Sequence, residues 1–184
     1  MHVFDHLSIF VSIVIALGVT HLLSSLARLI HLRRHIKVYG PALVMAFSLL
    51  LLQIQIWWVS FYRRDILDWS FFGFALYLTI PATVSMLSYL AIPEPSEGGD
   101  MALDYNYNRK WFHALLGGAI AVSVIEDASR GGTYRFDANL IFRLVFLLLA
   151  TAGFFADGRR SQWAASLSFL FTLIAYILIL FSHL

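Results

Sequence analysis

Residues 38–62 read VYGPALVMAFSLLLLQIQIWWVSFY, a stretch without a single Asp, Glu, Lys or Arg. A helix needs about 20 apolar residues to cross roughly 30 Å of hydrocarbon, so this stretch is long enough to span a membrane. Two further uncharged stretches of sufficient length occupy residues 69–93 and 161–184. The chain is therefore predicted to be a multi-pass membrane protein.

Three weaker apolar segments complete the predicted bundle. Residues 7–27 hold several hydroxyl groups, residues 111–125 are short, and residues 138–156 contain Arg143. Lipid offers no hydrogen bonds to the N–H and C=O groups of an irregular backbone, so we expect each segment to form a helix. The prediction is one all-α membrane domain over residues 1–184 with no soluble domain, its six transmembrane helices lying at 5–32, 39–62, 69–92, 109–127, 137–157 and 161–182. The alternative is four full spans and a re-entrant pair formed by the fourth and fifth segments.

Residues that favour helix starts stand at several of these boundaries. Pro41 fits the first turn of the second span, where a missing N–H costs nothing. Asp68, Asn108, Asp137 and Ser161 are predicted N-caps, because their side chains can accept the free N–H groups of a first turn.

The two halves of the chain share a weak pattern. Arg63 and Arg64 precede the third span, and Arg159 and Arg160 precede the sixth. A three-plus-three inverted repeat, common in transporters, would explain the pattern. Basic residues that simply mark membrane interfaces would explain it equally well.

Composition excludes several functions. The chain has no cysteine, which removes disulfides, thiol catalysis and iron–sulfur clusters. A formal net charge of +2 is too small to indicate a nucleic-acid partner. No catalytic, nucleotide or metal motif is present, so the sequence predicts neither a catalytic residue nor a metal ligand, and it leaves any cofactor unknown. The expected partners are the lipid bilayer and either a second copy of the chain or other membrane proteins.

Orientation follows from the loops, because cytoplasmic loops are rich in Lys and Arg. The odd-numbered loops hold more of these residues than the even-numbered loops; the two sets are Arg33, Arg34, Lys37, Arg109, Lys110, Arg159 and Arg160 against Arg63, Arg64, Arg130 and Arg135. The odd loops are therefore predicted to be cytoplasmic and both termini to lie outside. We expect a cell membrane, and among these the bacterial inner membrane.

Ionisable residues in the first span are candidates for a site. Small residues recur every fourth position from Ser8 to Ser24, which is typical of a helix-packing seam. A second face carries His21 and Arg28, and charged groups in a span usually face the bundle interior or a wet cavity. His21 could be a hydrogen-bonded packing residue, a cavity-lining group that binds a ligand or a proton, or a haem ligand. The other histidines are badly placed for haem.

Polar residues in the next two spans extend this candidate site. Gln55 in the second span must find a hydrogen bond, either as glue between helices or at a polar passage. Pro81 lies near the middle of the third span, close to Thr79, and a broken helix often marks a transporter site. The predicted ligand-binding residues are therefore His21, Arg28, Gln55, Thr79 and Pro81.

A charge in the fifth span predicts one specific contact. Arg143 cannot lose its proton, so it needs an anion or water. Glu126 and Asp127 close the preceding helix on the same side of the membrane. We expect one of the two carboxylates to form an ion pair with Arg143.

Taken together, these residues favour a non-enzymatic helical bundle with a small polar cavity that binds or passes a small solute or ion. One alternative is an accessory or scaffolding subunit of a larger membrane complex. Another is an intramembrane redox or haem-binding protein.

Overall fold

The computed structural model describes residues 3–61, 64, 69–93, 98–129 and 137–181. Its six helices are α1 (Val3–Leu32), α2 (Gly40–Ser60), α3 (Phe71–Ala91), α4 (Met101–Ser129), α5 (Ala138–Phe154) and α6 (Arg159–Leu180). Five are long and apolar enough to cross a membrane, and α5 is a shorter apolar helix. The predicted all-α membrane bundle of six helices is confirmed.

The largest departure from prediction is the start of α4. Five helices begin and end within three residues of the predicted spans, but α4 starts at Met101 and not at residue 109. Tyr105 and Phe112 are only 3% and 2% exposed, so packing against the bundle holds this first part of the helix. Hydropathy measures how well a segment dissolves in lipid. It does not detect a polar stretch that is helical because it packs against neighbouring helices. Asn108 lies inside α4, so its predicted role as an N-cap is wrong.

Among the other predicted N-caps, one is confirmed, one is wrong and one lies outside the described residues. Asp137 is the N-cap of α5, as predicted, and accepts the backbone N–H three residues on at 2.9 Å. Ser161 is not the N-cap of α6; Gly158 is, and its N–H donates to the Ser161 hydroxyl at 3.1 Å. Ser70 caps α3. Asp68 lies outside the described residues.

The six helices form a ring in the order α1, α3, α4, α5, α6, α2, and α2 also packs on α3. Residues 33–39, 98–100 and 155–158 meet at one end, which we call the basic end. There the Lys37 N–H donates to the Gly99 carbonyl at 3.1 Å, and the Lys37 ammonium lies 3.4 Å from the Asp100 carboxylate. The opposite end, where α1 begins and α6 ends, is called the terminal end.

Helix packing differs between the two halves of the chain. An inverted repeat would relate α1 to α4 and α3 to α6. α1 packs along α3, but no comparable packing joins the described parts of α4 and α6. The packing therefore gives no support to a three-plus-three repeat.

The face that α1 buries is not the predicted small-residue seam. Thr20 and Ser24 of that seam are exposed, whereas Gly18 is buried against α2 and α3. A Cβ added at Gly18 would lie 2.9 Å from the Ser85 Cα, so the two backbones approach closely. The Ser85 hydroxyl donates to the Val14 carbonyl at 2.8 Å. This contact fixes α1 on α3 beside the middle of the bundle.

Candidate functional site

Helices α2 to α6 surround a cavity of about 160 Å³ in the half of the bundle near the terminal end. Most of its wall is apolar, with Leu52, Val84, Leu116 and Phe146 among the lining residues. Its polar lining residues come from all five helices and are Gln55, Tyr77, Ser123, Glu126, Arg143 and Tyr176. Ligand sites in helical bundles commonly have this form, an apolar pocket with a few convergent polar groups.

The polar groups lie toward one end of the cavity. Ser123 and Glu126 belong to the last two turns of α4, and Tyr77 lies in the second turn of α3. Val84 lies seven residues further along α3, which places it about 10 Å deeper at 1.5 Å per residue. The cavity therefore has a polar rim near the terminal end and an apolar floor near the centre of the bundle.

Gln55 is the distinctive residue of the rim. Its side chain is 95% buried, and its Nε2 has no hydrogen-bond partner among the described residues. A buried N–H donor without a partner loses its hydration and gains no hydrogen bond in return, at a cost of about 1–3 kcal/mol. Each such group in a native structure needs an explanation, of which a water or a bound molecule is one.

Arg143 makes the ion pair that its position in α5 predicts. Its Nη2 lies 2.5 Å from Oδ2 of Asp127, and its Nη1 donates to the Ser123 carbonyl at 3.0 Å. Of the two predicted carboxylates, Asp127 forms this pair. Glu126 is 1% exposed and lines the cavity. A guanidinium and a buried carboxylate thus both border the polar rim.

Aromatic rings form part of the cavity wall. Phe146 and Tyr176 pack edge to face, with ring centroids 5.7 Å apart. The Tyr176 hydroxyl donates to Oδ1 of Asn139 at 3.2 Å, which fixes the ring in place. These rings offer flat, weakly polar surfaces to a bound molecule.

The structure does not bring the other predicted ligand-binding residues to this cavity. His21 lies toward the basic end, where its Nε2 is 2.9 Å from the Ile92 carbonyl oxygen and its ring stacks on Tyr89 at 3.8 Å. This is the hydrogen-bonded packing arrangement among the three readings of His21. Arg28, on the same face of α1, is exposed.

Thr79 and Pro81 also lie outside the cavity lining. The Thr79 hydroxyl donates to the Ala75 carbonyl within α3 at 2.9 Å, and the residue is exposed. Pro81 is buried, and α3 continues through it from Phe71 to Ala91. Of the predicted ligand-binding residues, the structure therefore places Gln55 alone in the lining of this cavity.

A second group of polar residues, which the sequence analysis missed, closes the basic end. Arg109 is 5% exposed and donates to the carbonyls of Gly153 and Phe154 at 3.1 and 2.6 Å. It also pairs with Asp157. Arg109 therefore satisfies the free carbonyl groups at the end of α5 and complements the negative end of that helix.

Tyr39 and Gln162 form the other half of this group. The Tyr39 hydroxyl donates to Oε1 of Gln162 at 2.5 Å, and the Gln162 amide donates to Asn106 at 2.7 Å and to Ala156 at 3.0 Å. Burial raises the pKa of Tyr39 above 10.0 although Arg159 opposes the shift, so the phenol keeps the proton that it donates. Tyr39, Asn106 and Gln162 thus form hydrogen bonds with one another.

The sequence did contain a signal for both groups. Most buried residues of α4 form one series at helical spacing from the first turn onward, and His113 is buried beside it; the series is Met101, Tyr105, Arg109, Phe112, Leu116, Ala119 and Glu126. A search for this periodicity, in place of hydropathy, would have extended α4 to residue 101 and placed Arg109 and Glu126 inside the bundle.

Comparison with known proteins does not assign the chain to a family. No family model, no characterised protein and no solved structure matches the chain. Within residues 3–61, 64, 69–93, 98–129 and 137–181, no three His, Asp or Glu side chains are grouped so that they could hold a metal ion. The function must be argued from the cavity itself.

Proposed function

We propose that this membrane protein binds a small solute in the cavity that helices α2 to α6 surround. The observation that carries the proposal is the buried Gln55 amide, whose Nε2 has no partner in the described part of the chain. A bound molecule with a hydrogen-bonding group would satisfy this amide. The polar groups of five helices converge at the same rim, which suits recognition of one polar group at one position.

The solute is small, uncharged and mostly apolar, with one polar group. A cavity of about 150 Å³ in another protein holds benzene, so a cavity of about 160 Å³ has room for one six-membered ring. The ring would lie on the apolar floor beside Phe146, and its polar substituent would meet Gln55. Arg143 already has an anionic partner in Asp127, which makes a charged solute the weaker candidate.

Binding is favoured over passage through the bundle. Between the cavity and the basic end the interior is filled by buried leucines, including Leu22, Leu49 and Leu87, each 0% exposed. Beyond them, the Tyr39 and Gln162 side chains hydrogen-bond across the basic end. A solute that enters from the terminal end would therefore stop at the cavity.

Phenol and toluene provide a direct test, because they differ mainly in a hydroxyl against a methyl group. The unfolding midpoint of the purified protein in detergent micelles is measured with each compound. We expect phenol to stabilise the protein more than toluene does, with an affinity about fivefold higher, since a net hydrogen bond contributes about 1 kcal/mol. In Gln55→Leu this excess should disappear.

The matched control is Gln53→Leu, which alters a buried amide of the same helix away from the cavity lining. It should retain the full excess for phenol. Equal stabilisation by phenol and toluene in the unmodified protein would contradict the proposal, as would an excess that survives in Gln55→Leu. Effects of either compound on the micelle act on all variants alike and cancel in the comparison.

We also propose that the basic end faces the cytoplasm of a bacterial inner membrane. Seven Lys and Arg residues lie in loop one or in the helix ends that adjoin loops three and five, against four in the even-numbered loops, and the described parts of all three odd loops lie at the basic end. A cysteine introduced by Arg34→Cys or Arg160→Cys should resist a membrane-impermeant thiol reagent in intact cells. Rapid labelling of both positions in intact cells would reverse the orientation.

A further inference from the structure

A second concave site lies between α4 and α5 near the basic end, apart from the solute cavity. It is a groove of about 210 Å³ whose floor consists of small residues, Ala114, Gly117 and Ala150. Phe154 and Phe155 border it, and Phe155 is 71% exposed. Because Ala114 and Thr151 are exposed on the outer surface of the bundle, the groove opens toward lipid.

His113 is the polar residue that makes this groove more than a packing defect. The side chain lines the groove and is 97% buried. Its Nδ1 has no hydrogen-bond partner among the described residues. The ring also lies so close to Gly153 that a Cβ there would overlap it, so the imidazole is held in position. A buried ring nitrogen without a partner at a lipid-facing groove can be satisfied by a hydrogen-bonding group from outside the chain.

The depth of His113 in the membrane indicates which chemical group could form a hydrogen bond with its ring. Arg109 lies one turn nearer the basic end and pairs with Asp157, which is 85% exposed, so the charged layer begins there. The adjacent Trp111 is 68% exposed, as expected for an aromatic residue at the membrane interface. His113 then lies about 6 Å below the charged layer. That is the level between phosphate headgroups and hydrocarbon, where the ester groups of phospholipids lie.

One face of α4 carries charged, polar and apolar groups in the order that a phospholipid would match. Lys110, His113, Ala114 and Gly117 follow three-four spacing, which puts them on one side of the helix. Lys110 is exposed at the basic end and can attract a phosphate. The imidazole follows it, and the small residues come last.

We propose that this groove binds one diacyl phospholipid. The phosphate lies at Lys110, an ester carbonyl accepts a hydrogen bond from the His113 ring, and an acyl chain lies along Ala114, Gly117 and Ala150. The lipid would fill the groove, cover the small residues and satisfy the buried imidazole at once. The site is separate from the solute cavity, and it stands whether or not that cavity binds a solute.

Matched lipids isolate the role of the ester. Delipidated protein in micelles is titrated with dimyristoyl phosphatidylglycerol or with its dialkyl ether analogue, and bound lipid is counted by native mass spectrometry. The two lipids share chains and headgroup, but the ether lacks the carbonyl oxygens. We expect the ester lipid to bind about fivefold more tightly, the usual net effect of one hydrogen bond.

Variants separate the two polar contacts. In His113→Leu the ester and ether lipids should bind equally. In Lys110→Gln both lipids should bind about fivefold more weakly, because one basic residue near the surface is lost, while the preference for the ester persists. Arg33→Gln removes an exposed charge at the same end, outside α4 and α5, and should change neither affinity.

Three results would overturn the proposal even if His113→Leu fails to fold. One is equal binding of ester and ether lipids by the unmodified protein. Another is an unchanged affinity in Lys110→Gln. A stable dimer in lipid-free micelles that takes up no lipid would instead assign the groove to a second copy of the chain and would likewise overturn it.

Discussion

Gln53 and Gln55 are the same residue type, two positions apart on α2 and both buried, yet their surroundings differ. Gln53 faces α1 and α3, where its Nε2 donates to the Ser88 hydroxyl at 3.1 Å, while its Oε1 lies against Gly18 and has no hydrogen-bond partner among the described residues. Gln55 points roughly 200° away around the helix. It lines the cavity, and its Nε2 has no partner in the described part of the chain.

The difference shows that residue type and depth alone do not assign a polar group in a membrane protein. A glutamine that bonds across a helix contact stabilises the bundle. A buried amide N–H donor without a partner, such as Gln55 Nε2, destabilises the empty protein and can be satisfied by a ligand. At the basic end, the Arg109 guanidinium and the Gln162 amide extend the comparison, because both donate hydrogen bonds to groups within the chain. Stability measurements should therefore rank these residues by how completely each is satisfied.

The largest effect is expected at Arg109, whose Nη1 and Nη2 atoms bind two backbone carbonyls and Asp157. Arg109→Met removes a cation that satisfies two carbonyl groups at the end of α5. Hydrogen bonds to charged groups contribute about 1.5–3 kcal/mol each, so the free energy of unfolding should fall by about 3 kcal/mol. Equilibrium unfolding in mixed micelles measures it. Arg160→Met, at an exposed position, should change stability by less than about 0.5 kcal/mol, and a similarly small change for Arg109→Met would contradict the account.

The second effect concerns the close approach that surrounds Gln53. Gly18→Ala adds a methyl group 2.9 Å from the Ser85 Cα, which is backbone and cannot move aside. Such overpacking costs about 1–3 kcal/mol. Gly118→Ala is the matched control, because a Cβ there meets nothing within 4 Å, and its higher helix propensity should leave stability unchanged or slightly raised. Equal effects of the two substitutions would show that α1 does not pack as described.

The smallest effect concerns the exposed tie between Lys37 and Asp100. Burial opposes ionisation of Asp100, but hydrogen bonds from Ala102 and Lys37 outweigh it and lower the pKa of the carboxyl below 3.8. Since the folded state lowers this pKa, the contribution to stability is complete above pH 3.8 and is lost as the pH falls through the folded value. Between pH 5 and pH 2 the unfolding midpoint should fall slightly more in the unmodified protein than in Asp100→Asn. Identical pH profiles of the unmodified protein and Asp100→Asn would show that the contact between Lys37 and Asp100 does not contribute to stability.

Much of the fold could be predicted because lipid imposes a strong and simple rule on sequence. Uncharged stretches such as residues 38–62 correspond to helices within a few residues. The start of α4 could not be found in this way, since Tyr105 and Arg109 are held by neighbouring helices at the basic end. Hydropathy carries no information about such contacts.

The site was harder to predict than the fold. The Arg143 pair could be predicted because its partner lies on the preceding helix, so short-range topology decides the contact. His21 and Gln55 looked equivalent in the sequence, as polar residues within apolar spans. Which of them faces a cavity depends on helix rotation and on neighbouring helices. The His21 ring lies 2.9 Å from the Ile92 carbonyl oxygen, whereas Gln55 Nε2 has no partner among the described residues.

The stability of the empty protein tests the central claim most directly. Equilibrium unfolding in micelles, without added solute, is compared for the unmodified protein, Gln53→Leu and Gln55→Leu. Gln53→Leu should lower the free energy of unfolding by about 0.5–1.5 kcal/mol, as loss of an interhelical hydrogen bond does. Gln55→Leu should leave it unchanged or raise it by about 1 kcal/mol, because an unsatisfied buried amide is replaced by an apolar side chain. A loss in Gln55→Leu as large as that in Gln53→Leu would mean that Gln55 is bonded within the bundle, and the cavity would no longer be a binding site.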